Sequence, residues 1–83
     1  MRIRYFAWMK RTVGTADEEV TLPDSVTTVG ELVEWLRGRS PGHAAAFEHA
    51  ALIRCAVNQT LADAQAAVAP GDEVAFFPPV TGG

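Results

Sequence analysis

Two histidines, one cysteine and ten carboxylates are the side chains that could run a reaction, and their spacing assembles no reaction. His43 and His49 stand six apart, about 600° around a helix, so they point to different sides, whereas a metal pair at i and i+4 would share a face. With no cluster of cysteines or carboxylates beside them, they read as two solvent-facing histidines on a helix, and no metal site is expected. Cys55 falls inside a predicted strand with Arg54 as its one basic neighbour, which fits a small buried hydrophobe better than a reactive thiol. Asp17, Glu18 and Glu19 are consecutive, so on a strand they alternate faces and read as a solvated edge. Asp72 sits in a turn and is expected to serve turn chemistry. The internal glycines, at 14, 30, 38, 42 and 71, are too scattered to cradle a phosphate. No catalytic residue is expected, and the chain is not read as an enzyme on its own.

The C-terminal stretch is different. Gly82 and Gly83 carry no β-carbon, so a tail ending on them fits a narrow tunnel and samples backbone angles closed to other residues. Pro78 and Pro79 ahead of them restrict the chain to extended forms and act as a stiff neck. With Val80 and Thr81 between, the span from Pro78 to Gly83 reaches at most ~20 Å at about 3.3 Å per residue. A compact body, a stiff neck and a slim carboxylate tip describe an arm presented to other proteins' active sites. The plain alternative is a frayed end, which terminal glycines often are.

These features must be positioned by a small body. A chain of 83 residues with 48% hydrophobic content makes one domain, with little room for a deep substrate cavity. The net charge of −3 argues against a general nucleic-acid binder. A single cysteine closes no internal disulfide and favours a reducing, cytoplasmic setting. Apolar runs are far shorter than the ~20 residues that cross a bilayer, and Tyr5–Met9 is too short for a signal-peptide core, so neither membrane nor nucleic acid is an expected partner.

Alternation predicts a strand over Arg2–Met9, with Ile3, Tyr5 and Ala7 on one face and Arg4, Phe6 and Trp8 on the other, and a second strand over Glu18–Leu22 ended by Pro23. Thr28 and Glu31 match a capping box, and Val29, Leu32, Val33 and Leu36 form one apolar stripe, so a helix follows, closing at Gly38 in a left-handed conformation. Pro41 starts a second helical piece running to about Ala51. Leu52–Val57 reads as a third strand with a turn at Asn58-Gln59. Residues 61–68 fit either a helical turn or an irregular crossing. After the turn Pro70-Gly71-Asp72, Glu73–Phe77 is the last strand. The order suits an α+β ubiquitin-like β-grasp, a mixed sheet with helices packed on one face, spanning residues 1–77, followed by an extended tail over 78–83. A ferredoxin-like order would need a helix directly after the first strand, and residues 9–17 offer none.

The end Gly71-Asp72-Glu73-Val74-Ala75-Phe76-Phe77-Pro78-Pro79-Val80-Thr81-Gly82-Gly83 resembles the C-terminal signature of molybdopterin synthase small subunits. Ala56-Val57-Asn58-Gln59-Thr60-Leu61 is similar to that family's interior motif, and Phe6-Ala7 with Val13-Gly14 to its opening. The resemblance implies a sulfur carrier of molybdenum cofactor biosynthesis. In that family an activating enzyme uses ATP to adenylate the terminal carboxylate, here that of Gly83, and a sulfur donor converts it to a thiocarboxylate. The tail then enters the large synthase subunit, with which it forms a heterotetramer, and its sulfur goes to a pterin precursor to form the molybdopterin dithiolene. The family resemblance also implies no bound cofactor, with the thiocarboxylate as the functional group. It places Phe6, Leu61 and Phe77 in a docking patch, and Lys10 and Arg11 could add charge at its rim. Exposed phenylalanines on so small a body themselves point to an interface. The same fold and tail could instead serve thiazole or cysteine synthesis, or a ubiquitin-like modifier joined to target lysines.

Overall fold

The computed structural model describes residues 1–79. Five strands and three short helices follow one another as β1 (Arg2–Tyr5), α1 (Trp8–Val13), β2 (Asp17–Glu19), α2 (Val29–Arg37), α3 (Pro41–Ala46), β3 (Arg54–Val57), β4 (Thr60–Ala62) and β5 (Glu73–Phe77), with one 3₁₀ turn at Ala50–Leu52. The strands form one mixed sheet in the order β2-β1-β5-β3-β4. β5 lies at the centre, parallel to β1 and antiparallel to β3, while β1–β2 and β3–β4 are antiparallel pairs. This is the ubiquitin-like β-grasp arrangement that the strand order implied.

Alternation along the two central strands divides the sheet into two faces. Ile3, Tyr5, Val74 and Phe76 point inward and are at most 2% exposed. They meet Leu32 and Leu36 of α2, Met9 of α1 and Phe47 after α3 in the core. Phe76 packs edge-on to Phe47, with ring centroids 4.9 Å apart, and stacks with Tyr5 at 6.3 Å. The expected capping box is formed: Thr28 Oγ1 accepts from the Glu31 amide, and Glu31 Oε1 accepts from the Thr28 amide. Asp72 serves its turn, accepting from the Ala69 amide at 2.9 Å.

Several expectations need correction. The first strand ends at Tyr5, not Met9, because Ala7 adopts φ 56° and turns the chain into α1. Met9 then reaches the core from a helix, so residues 8–13 do offer a helix after the first strand. The ferredoxin-like order is excluded by the pairing of β1 with both β2 and β5, not by a missing helix. Gly42 lets α3 approach closely, since a β-carbon there would lie 2.6 Å from the Thr12 carbonyl oxygen. The second strand is only Asp17–Glu19, although Val20 and Leu22 are both buried, as their shared side implied. Gly38 closes α2 with φ −83°, an ordinary right-handed value, and α3 stops at Ala46. Leu61 and Ala62 belong to β4 rather than to a helical turn or crossing. Residues 63–68 cross irregularly, tied to the start of α2 by the Thr28–Ala67 bridge and by backbone hydrogen bonds from Val29 to Ala66, Gly30 to Ala64 and Val68 to Thr27.

The histidines and the acidic run also depart from expectation. The alternation that exposes Asp17 and Glu19 turns Glu18 inward, and His43, three residues into α3, is buried against it. His43 Nε2 lies 2.7 Å from Glu18 Oε2, and the Tyr5 hydroxyl donates to the same oxygen at 2.8 Å. An ionised carboxylate only accepts, so Nε2 carries a proton. The Ser40 hydroxyl meets Nδ1 at 2.7 Å and accepts from the His43 amide. Arg39 approaches the other carboxylate oxygen at 3.4 Å. His49, by contrast, is exposed.

This polar cluster makes stability depend on pH at both ends. Burial alone would raise the Glu18 carboxyl, but the His43 and Tyr5 hydrogen bonds and the nearby His43 and Arg39 charges outweigh it and hold it below the usual range. A depressed carboxyl stabilises above its unfolded value, and that contribution is lost as pH falls through the folded one. Burial first, then the hydrogen bond and charge of Glu18, push the Tyr5 phenol far above its ordinary value of 10.0. Its contribution is therefore lost as pH rises beyond about 10. Thermal melts of Glu18→Gln should lose part of the acid-side decline below about pH 4.5. Tyr5→Phe should lose part of the alkaline-side decline, at a cost near neutrality of about 1–2 kcal/mol.

The Asn58-Gln59 turn between β3 and β4 places both residues at positive φ, 50° and 71°. Asn58 tolerates this and is anchored, its side chain accepting from the Glu73 amide at 3.0 Å and donating to Asp72 at 3.1 Å. Exposed Gln59 has no such compensation. Gln59→Gly is expected to raise stability by about 0.5–1 kcal/mol, read as a melting temperature several degrees higher.

Candidate functional site

Among the described residues, no helix covers the sheet's second face. In register across it lie Asp17, Arg4, Ala75, Ala56 and Leu61, and one step along, Phe77 faces Arg54. Leu61 is 76% exposed on the edge strand β4, and Phe77 is half-buried at the end of β5. Phe6 leaves β1 just before the Ala7 turn and is 41% exposed, with the Arg4 guanidinium 5.2 Å above its ring. Its amide donates to the Phe76 carbonyl at 3.1 Å, which fixes Phe6 beside the end of β5. The expected outward set of Phe6, Leu61 and Phe77 thus lies on or at the border of one open face. Lys10 and Arg11 stand exposed on α1, just beyond Phe6.

Pro78 and Pro79 follow from the central strand. Lacking amide hydrogens, they cannot extend the β5 ladder. They line a shallow apolar groove of about 380 Å³ together with Trp8, Leu52 and Ile53. Trp8 and Leu52 are 43% and 60% exposed, so the neck leaves the body between two apolar surfaces. The sequence reading did not pick out this groove. Trp8 continues a period-two pattern that the Ala7 turn breaks, and Leu52 precedes by two residues the strand it is predicted to begin. The expected tail residues Val80, Thr81, Gly82 and Gly83 lie outside the described residues.

The remaining candidates form no reaction centre with these. Cys55 is buried and its thiol donates to the Ala62 carbonyl at 3.4 Å. Burial, with the Asp63 charge adding to it, pushes the thiol up and away from the reactive thiolate. Among the described residues no three of His, Cys, Asp and Glu gather as metal ligands, and no helix is long and apolar enough to cross a membrane. The geometry offers instead an open apolar face and a stiff neck leading away from its centre.

The sequence profile of the ThiS family matches residues 3–83. The chain belongs to the ThiS family. Over all 83 residues it is 41% identical to the molybdopterin synthase sulfur carrier subunit of Escherichia coli and 37% identical to that of Haemophilus influenzae, covering 99% of each. Among solved structures it resembles SAMP1 from Haloferax volcanii, with a TM-score of 0.77 and 32% identity, covering 100% of this chain and 98% of that one. The Pyrococcus furiosus protein described as molybdopterin converting factor, subunit 1, gives a TM-score of 0.77 at 28% identity, with 95% of each chain covered. Fold and sequence thus agree on one family of small β-grasp proteins.

Proposed function

We propose that this ThiS-family chain is the sulfur carrier subunit of a molybdopterin synthase. The observation that carries this reading is the match over the full 83 residues to curated relatives bearing that name. The geometry supports it: a Pro-Pro neck leaves the central strand beside Phe6 and Phe77, where a docked partner would receive the tail. The chain has no catalytic role alone and binds no cofactor; its partners supply the catalytic groups. An activating enzyme joins the Gly83 carboxylate to AMP from ATP, with pyrophosphate leaving. A carboxylate oxygen is a poor leaving group, and the adenylate makes it a good one. A sulfur donor then displaces AMP, and the resulting thiocarboxylate is a soft nucleophile by analogy with thiolates. With Phe6, Leu61 and Phe77 seated on the large subunit, that sulfur passes to the pterin precursor as the acyl–sulfur bond breaks and water restores the Gly83 carboxylate, and two such transfers build the dithiolene.

The test is the intact mass of the chain after incubation with an activating enzyme, ATP and a sulfur source. Replacement of one oxygen by sulfur at Gly83, lost again on incubation with large subunit and pterin precursor, is the expected result. Covalent attachment to lysines of other proteins would favour a modifier, the role named for a solved neighbour described as H. volcanii small archaeal modifier protein 1. An unchanged mass would overturn the carrier reading.

A further inference from the structure

The open face carries charge of both signs as well as apolar surface: Asp17, Glu19 and Glu73 share it with Arg2, Arg4 and Arg54. Arg2 at its margin is already paired with Asp17 and Glu19. Arg37 and Arg39 pair with Glu34 and Glu18 on the other side of the molecule. Arg4 and Arg54 are both exposed, and no carboxylate lies within 4.0 Å of either among the described residues. Each accompanies one phenylalanine of the patch: Arg4 stacks over Phe6, and Arg54 stands opposite Phe77 in the β3–β5 register. Strand spacing puts the two arginines two strands and two residues apart, roughly 12 Å.

We propose that Arg4 and Arg54 are specificity-determining contacts that receive carboxylates of the large subunit on either side of the apolar patch. This rests on the carrier reading above. Stacking on Phe6 leaves the edge N–H groups of Arg4 available, and a guanidinium fork matches a carboxylate in two parallel hydrogen bonds. A second copy of this chain is a poorer occupant, because Asp17 and Glu19 on its own open face are already paired with Arg2. A carboxylate-bearing surface is repelled by the overall charge of −3 and attracted where it meets the Arg4 and Arg54 guanidiniums, so the pair selects orientation during encounter. The sequence reading assigned rim charge to Lys10 and Arg11. Arg4 and Arg54 escaped it because only the strand register brings them to the patch.

The experiment is the association rate of the full chain with the purified large subunit across salt concentrations. Wild type should slow by about tenfold between low salt and roughly 0.5 M. Arg54→Ala, which leaves the Arg4–Phe6 stack intact, should be several-fold slower than wild type at low salt. The Arg4→Ala/Arg54→Ala pair should be about tenfold slower, with both differences vanishing at high salt. Arg37→Ala removes the same charge from the opposite side and should associate at the wild-type rate. Salt-independent association, or wild-type rates for Arg54→Ala and the pair while Leu61→Asp still blocks binding, would overturn the cationic contacts and leave the carrier reading standing. Failure of wild type to bind the large subunit at all would overturn both.

Discussion

Deletion of Gly83, or addition of one residue after it, is expected to abolish sulfur transfer while leaving the fold intact. Deletion still leaves a glycine carboxylate at the tip, so the argument is one of reach. One residue spans about 3.3 Å, and misplacement of a reacting group by about 1 Å costs on the order of 100-fold in rate. A tip withdrawn by a full residue should therefore fall at least a thousandfold short of wild type in dithiolene formation. The added residue acts differently: it turns the Gly83 carboxylate into an amide, which cannot be adenylated. Every buried core residue of the described chain lies between Met1 and Phe76, so neither change removes core packing. Melting temperatures should stay within about a degree of wild type, since surface changes away from packed features lie within about ±0.5 kcal/mol. Intact mass after activation and a thermal melt check the two halves separately. A variant lacking Gly83 that still acquires and delivers sulfur would overturn the placement of the reactive group. A melting temperature lowered by several degrees would instead make the tail part of the body's packing.

What could be read from the sequence follows the range over which each signal acts. The α2 capping box, its apolar stripe, the Asp72 turn and the in-out pattern of β5 rest on residues within seven positions of each other, and each is present in the structure. The helix at Trp8–Val13 was hidden because one residue, Ala7 at positive φ, switches the period from two to helical with no glycine to announce it. The Glu18–His43 contact joins residues 25 apart, and no local periodicity encodes it. Local spacing alone reads its members as a solvated acid on a strand edge and a solvated histidine on a helix. For the candidate docking residues, alternation placed Phe6 and Phe77 outward. It could not say that Arg54 pairs with Phe77, because that depends on how β3 registers against β5. The groove formed by Trp8, Leu52 and the prolines needs both the α1 turn and the short path after α3, so it became legible only with the fold.

Leu61→Asp is the second change expected to have a large effect. Leu61 sits on an edge strand with 76% of its surface open to solvent, so the isolated chain gains little from it. Its partner in register, Ala56, is small, and Leu61 is absent from the core cluster. Stability should therefore change by no more than about 0.5 kcal/mol. In a docked complex the same position would be desolvated, and an aspartate there must give up its water without a paired cation. A loss of about 3 kcal/mol, roughly 100-fold in Kd for the large subunit, is the expected cost. Phe77→Ala should also weaken binding, yet it is the poorer probe, since its half-buried ring packs at the end of the central strand and its loss touches both quantities. Titration calorimetry on Leu61→Asp, paired with a melt of the free protein, separates docking from folding. Unchanged affinity would remove β4 from the interface and confine docking to the neck and the Phe6 side. A matching drop in melting temperature would show that Leu61 serves the body rather than the partner.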